Sequence, residues 1–310
     1  MSTLLNFEVL IEESFAKTTT DISLFPIDKK HVISLINNFE DGNWLYKNFQ
    51  DFIWNNIAET ALSYQERTSL IDQPQSLLTE AAKKLRLIDN NKDKVGQGSE
   101  LAEIVLYGIM KHYYKALPVV PKIFYKQNSQ DNAKGADCVH IVLEGEDDFS
   151  IWFGEAKFYN SIEDDRLSEI IQSVENSLQR EKLKKENSII TSISDLDYCI
   201  SPGQRREYIR EILASGASTD DLKPKLHIPI LLIHECAITK LHNLMSQQYK
   251  DDIINYHKER AESYFKKQLK KLNSIHLYSE ISFHIILFPV PEKGIIVDKF
   301  VSNVKHYKDQ

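Results

Sequence analysis

Residues 134–158 read KGADCVHIVLEGEDDFSIWFGEAKF, and the period of this stretch decides the fold. Ala136 to Leu143 and Phe149 to Tyr159 are rich in β-forming residues, and the polar Glu144-Gly145-Glu146-Asp147-Asp148 lies between them. That is the pattern of a β-hairpin. In the second arm Glu155 and Lys157 are two residues apart, so their side chains leave the same face. A turn centred near Glu146 sets Asp137 opposite Glu155, and such cross-strand neighbours stand about 5 Å apart. An aspartate, a glutamate and a lysine therefore converge on one patch of sheet.

Two facing carboxylates repel, and one tends to take up a proton. A divalent cation removes the conflict. Mg²⁺ prefers oxygen ligands and is held by one or two carboxylates while keeping waters for chemistry, with Mn²⁺ an expected substitute. A lysine beside it can orient or deprotonate an attacking water, or stabilise charge on a phosphate. Glu-x-Lys alone commonly marks a solvated strand face. Here Glu155 shares its face with Ile151 and Phe153, and Trp152, Gly154, Ala156 and Phe158 occupy the other. Both faces are apolar, as in a strand covered on both sides. Charges at the end of such a strand need a partner or a metal, so the stretch reads as a phosphodiester hydrolysis site.

The 310-residue chain is 42% hydrophobic and 27% charged, the balance of an ordinary globular protein. It has no run of about 18 apolar residues, so no membrane span is expected. The opening MSTLLNFEVLIEESF carries acids where a signal peptide carries Lys or Arg. Cys138, Cys199 and Cys236 are scattered, with no C-x-x-C. Together these features predict a cytoplasmic protein with reduced thiols. The net charge of −7 argues against tight unaided binding to nucleic acid, whose non-specific affinity comes from phosphate neutralisation. A locally basic groove, or delivery to DNA by a partner, is compatible with it. No G-x-x-x-x-G-K-[ST] is present, which excludes a P-loop motor.

Along the chain, residues 1–92 read as a mostly helical N-terminal region and 93–310 as a second domain. Leu4 to Phe15 fits a strand or a short helix. Asp28 to Phe39 and Trp44 to Tyr64 have helical spacing, the second with an apolar stripe of Trp44, Leu45, Phe49, Phe52, Ile53, Ile57 and Ala61. Pro74 opens a helix predicted to end near Asn90, and the polar Asn90 to Gly98 marks a boundary. Ser99 caps the next helix, whose small Gly108 suits packing on a sheet. Its acids Glu100 and Glu103 suit a helix start, although an acid beside Leu101 and Ile104 is less simply explained. A strand over Leu117 to Tyr125 follows, then the hairpin, then a helix over Ser161 to Lys185 with Gln172 near its apolar stripe. Arg180 to Lys185 is a basic run that reads as a solvated helix end. His227 to Cys236 (HIPILLIHEC) is a continuous apolar strand expected at the centre of the sheet. Thr239 to Leu272 has helical spacing with Leu241 and Leu244 on its buried side, and Ser282 to Val290 (SFHIILFPV) is a final strand. The order describes an α/β fold: a central mixed β-sheet flanked by helices.

An early helical acid, Asp137, Gly154-Glu155-Ala156-Lys157 and a helical Gln172 together resemble the PD-(D/E)xK, or restriction-endonuclease-like, superfamily of nucleases. The resemblance covers about residues 97 to 290. Ser99 to Tyr107 (SELAEIVLY), Lys-Gly-Ala-Asp137, the Phe-Gly-Glu-Ala-Lys hairpin arm and the two late strands are most similar to the HamA family, nuclease subunits of the Hachiman anti-phage defence system. Ala136 stands where the superfamily name has Pro. The resemblance implies that Asp137 and Glu155 bind Mg²⁺, that Lys157 assists the water, and that Glu103 or Glu100 completes the metal shell, with Gln172 in support. It also implies DNA as substrate and a helicase partner (HamB-like) that holds the nuclease in check, to which the Trp- and Phe-rich N-terminal region would dock. Two other readings compete. One is a self-sufficient restriction-type endonuclease, for which no base-reading residues are identifiable. The other is a catalytically silent fold serving a DNA-processing complex as a structural or regulatory subunit, which has no reason to keep two facing carboxylates.

Overall fold

The structure is a computed structural model and describes residues 5–87, 99–125, 136–145, 148–192, 195–214 and 216–310. The expected boundary at Asn90 to Gly98, the hairpin tip at Glu146, and Lys134 and Gly135 lie outside them. Seven strands form one mixed sheet: β1 (Glu8–Ser14), β2 (Lys30–Ile36), β3 (Leu117–Val120), β4 (Cys138–Glu144), β5 (Asp148–Tyr159), β6 (Leu226–Glu235) and β7 (Ser282–Val290). Their spatial order is β1-β2-β7-β6-β5-β4-β3. The four inner strands β2, β7, β6 and β5 run parallel, while β1, β4 and β3 are antiparallel to their neighbours. The hairpin register pairs Cys138 with Gly154 and Glu144 with Asp148, as a turn centred on Glu146 requires.

Seven of the helices matter here: α1 (Tyr46–Ala61), α2 (Pro74–Lys83), α3 (Ser99–His112), α4 (Asp164–Ser177), α5 (Arg180–Ser192), α6 (Gln247–Leu272) and α7 (Lys293–Lys308). They cover both faces of the sheet, which is why its inner strands are largely apolar on both sides. On one face Ile151, Phe153, Ile230 and Ile285 pack against Ile170 and Val174 of α4 and Phe265 of α6. On the other, Trp152, Ala156, Leu231 and Ile286 pack against Leu101 and Val105 of α3, Phe52 of α1 and Phe300 of α7. β6 is the fourth of seven strands, the central place its sequence predicts.

Several expectations are corrected. Asp28 to Phe39 is not a helix; it holds β2, paired in parallel with β7. A short apolar run fits either period, and here the free edge of β7 decides. With β1 beside it, the N-terminal segment supplies two strands of the main sheet in addition to its helices. Of its aromatic residues, Trp44, Phe49 and Phe52 are buried core, while Phe25 is exposed. The strand over Leu117 to Tyr125 stops at Val120, and Lys122 to Tyr125 form a helical turn. α2 ends at Lys83. The single helix expected over Ser161 to Lys185 is two. The Leu178 N–H is shared between the carbonyls of Val174 (3.1 Å) and Glu175 (3.3 Å), tightening the last turn of α4. The basic residues 180–185 therefore begin a helix. Ser246 caps α6 by accepting the Tyr249 N–H (3.1 Å), which leaves Leu241 and Leu244 outside the helix and exposed. α7 follows the last strand and buries Ile296, Val297, Phe300 and Val304.

Two glycines are required by close approach. A Cβ on Gly108 would stand 2.6 Å from the Phe52 ring, so this glycine lets α3 cross α1 rather than the sheet. A Cβ on Gly154 would meet Cys138 Sγ and lie 2.8 Å from Leu106 Cδ2. Gly154→Ala is expected to destabilise the protein by about 1–3 kcal/mol through overpacking, read as a lower urea midpoint at unchanged m-value.

Candidate active site

Glu155 and Lys157 are fixed by the ladder between β5 and β6. Toward β6 they pair with Ile230 and Leu232, and the β4 ladder reaches Gly154 on the other side. Asp137 precedes its strand and is tied to β5 twice. Its N–H donates to the Gly154 carbonyl (2.7 Å), and its Oδ2 accepts the Ala156 N–H (3.1 Å). The Lys157 ammonium donates to Asp137 Oδ2 and to Glu155 Oε2, both at 3.2 Å. Side-chain exposure is 6% for Glu155, 14% for Asp137 and 31% for Lys157, so the lysine is the residue that reaches solvent.

Burial is the largest influence on Glu155, and the nearby Asp137 charge adds to it. Together they lift its carboxyl to about 7, against opposition from Lys157 and from a hydrogen bond with Ser173. Burial works against the charge on Lys157, but Asp137 and Glu155 outweigh it and hold the ammonium above the usual lysine range. The two carboxylates thus favour the charged form of Lys157. The electrostatics have one sense: Asp137 and Glu155 can both be ionised only with positive charge between them.

The other expected residues are placed as follows. Glu103 is buried in α3, on the helix packed against the opposite sheet face. It reaches the neighbourhood of Asp137 through Cys138, whose thiol is pushed up by burial, by Asp137 and, more weakly, by Glu103. Glu100 is committed elsewhere. Its carboxylate accepts the N–H groups of Arg86 (2.9 Å) and Leu87 (3.1 Å), latching the chain after α2 onto α3. Gln172 points away from the site. It accepts from Lys271 of α6 and donates to Glu175 (2.8 Å) on the exposed side of α4. The next residue, Ser173, is the one that meets Glu155. Sequence reading passed over it because a serine bordering an apolar stripe carries no signal of its own. Tyr159 follows Lys157 on the same face, with the Arg166 guanidinium 5.8 Å from its ring centroid.

Among the described residues no group of three or more His, Cys, Asp and Glu side chains forms a ready-made metal cage. What stands together is two carboxylates converging on one cation. All their donor atoms are hard oxygens, the set that suits Mg²⁺ or Mn²⁺.

Fold and site define a class: a helix-covered mixed α/β sheet with an Asp–Glu–Lys group on adjoining strands. The HamA family model matches residues 13–304. The chain belongs to the HamA family, which ties it to anti-phage defence. No curated protein matches it. Among the described residues no helix is long and apolar enough to cross a membrane.

The raised Glu155 pKa has a testable sign. A carboxyl lifted from its ordinary 4.5 to about 7 favours the folded state while protonated, and that contribution is lost as pH rises through this range. Without divalent metal, Glu155→Gln is expected to melt above wild type near about pH 8, with the difference closing below about pH 5. Melting curves across pH check this.

Proposed function

We propose that this protein is a metal-dependent DNA nuclease effector of anti-phage defence, with a site of the PD-(D/E)xK type. The observation that carries the reading is the Lys157 ammonium, 3.2 Å from each of two carboxylates at the buried end of a sheet. A structural ion pair needs one acid; two acids sharing one cation suit a site that takes up a second, divalent one.

In this reading Asp137 and Glu155 hold Mg²⁺ or Mn²⁺, and Glu103 is the helical acid beneath them, since Glu100 is bound to backbone. The metal supplies Lewis-acid stabilisation of a phosphodiester and a water poised for attack. Asp137 keeps its aim because the Ala156 N–H holds one of its oxygens. Ser173 of α4 favours the charged form of Glu155. Lys157, protonated and the most exposed of the three, donates to a non-bridging phosphate oxygen as negative charge develops there. The acidic net charge suits an enzyme with weak DNA affinity of its own, delivered and restrained by a helicase partner (HamB-like).

The test is cleavage of supercoiled and linear plasmid in Mg²⁺ and in Mn²⁺, by the chain alone and with its co-purified partner and ATP. Lys157→Ala is expected to lower cleavage by at least about 10²-fold, by removing charge stabilisation and not core volume. Asp137→Asn is expected to weaken metal binding and remove cleavage. EDTA should act as both variants do. Full activity in either variant refutes the site, and no activity with partner and ATP present favours the silent, regulatory fold.

A further inference from the structure

Behind Asp137 lies a second pair of charges that the chemistry above does not use. Lys122 Nζ stands 2.5 Å from Glu186 Oε2, and the two side chains are only 2% and 4% exposed. Lys122 follows the edge strand β3, and Glu186 lies in the middle of α5. The second oxygen of Glu186 accepts the backbone N–H of Ala136 at 3.1 Å. Ala136 is itself buried and immediately precedes Asp137.

Stability alone does not account for this pair. Removing two charges from water costs several kcal/mol per ion, and a buried ion pair is often no better than well-packed apolar residues of similar size. What an apolar pair cannot do is accept a hydrogen bond from Ala136. A lone buried glutamate could, but it would hold a proton or turn to solvent unless a cation sat beside it. Lys122 is that cation.

The placement also matters. Glu155 and Lys157 sit within β5 and are paired with Ile230 and Leu232 of β6. Asp137 stands outside its strand, and its backbone N–H and its carboxylate are tied to β5. The Glu186 bond is a restraint from another direction, one residue away. Small displacements of a reacting group cost large factors in rate, and partners that orient metal ligands typically contribute 10–100-fold.

We propose that Glu186, paired with Lys122, is a positioning residue for Asp137: it anchors the backbone at Ala136 and so sets the Asp137 carboxylate against Glu155. The structural part stands on the hydrogen bonds alone, and the consequence for catalysis rests on the nuclease reading above.

The experiment compares two double variants in the full chain. K122M/E186L removes the ion pair and the acceptor. K122Q/E186Q removes the charges but keeps an amide oxygen for Ala136. The first readout is residue-resolved amide hydrogen exchange. The Ala156 amide reports on Asp137 directly, because it donates to Asp137 Oδ2. Its exchange should rise at least about tenfold in K122M/E186L and stay within about threefold of wild type in K122Q/E186Q, while the Ile230 and Ile285 amides of the inner strands hold. The second readout is plasmid cleavage with the partner and metal present. K122M/E186L should lose about 10–100-fold, chiefly in kcat with little change in KM for DNA, and K122Q/E186Q should restore most of it.

Unchanged Ala156 exchange in K122M/E186L overturns the proposal whatever happens to cleavage. Equal loss of cleavage in both double variants overturns it too, since the acceptor would then be irrelevant. Looser Ala156 exchange in K122M/E186L together with a wild-type protein that cleaves nothing would sustain the positioning role and sink the nuclease reading instead. If K122M/E186L does not fold, Lys122→Met alone carries the test. There Glu186 loses its counter-charge, and Ala156 exchange should rise at least about threefold; no rise overturns the proposal.

Discussion

The structure depends on a charge conflict kept inside a sheet. Asp137 and Glu155 stand on adjoining stretches of a hairpin, nearly withdrawn from water, with one ammonium shared between them. Burial and mutual repulsion press Glu155 to keep its proton, and Lys157 is held as a cation in return. Such a patch is stable only if the surrounding scaffold is rigid, because a loose one would let the side chains swing out to solvent. The four parallel inner strands provide that rigidity, covered by helices on both faces and lined with Ile, Leu, Val and Phe.

Around this centre the protein distributes its polar contacts unevenly. On the face of the two carboxylates, α4 contributes Ser173 and α5 contributes Glu186. On the other face α3 contributes Glu103, through the neighbourhood of Cys138. α3 approaches closely because Gly154 offers no Cβ to Leu106. One glycine therefore serves the packing of the opposite face at the position directly before a charged residue. The same economy appears in α3, where Glu100 latches the chain after α2 through two backbone N–H groups and Glu103, one turn on, is buried.

The N-terminal segment changes how the protein is understood as a unit. Strands β1 and β2 complete the sheet on the side away from the hairpin, and α1 covers the face that α3 and α7 also cover. The segment is part of the scaffold that holds the site, and its Trp44, Phe49 and Phe52 are buried in that core.

The sequence by itself determined the hairpin, its register and the shared face of Asp137, Glu155 and Lys157, because strand periodicity and a short polar turn are local properties. It determined β6 as a central strand, because an unbroken apolar run has no other place to go. Only the tertiary structure decided that Lys30–Ile36 is a strand, since a brief apolar run takes whichever form its neighbour supports, and the neighbour, β7, lies some 250 residues away. Likewise only the fold assigned Glu100 to a backbone latch, turned Gln172 outward in favour of Ser173, and brought Lys122 and Glu186 together behind Ala136. Those roles depend on distances between side chains far apart in the chain, and no periodicity encodes them.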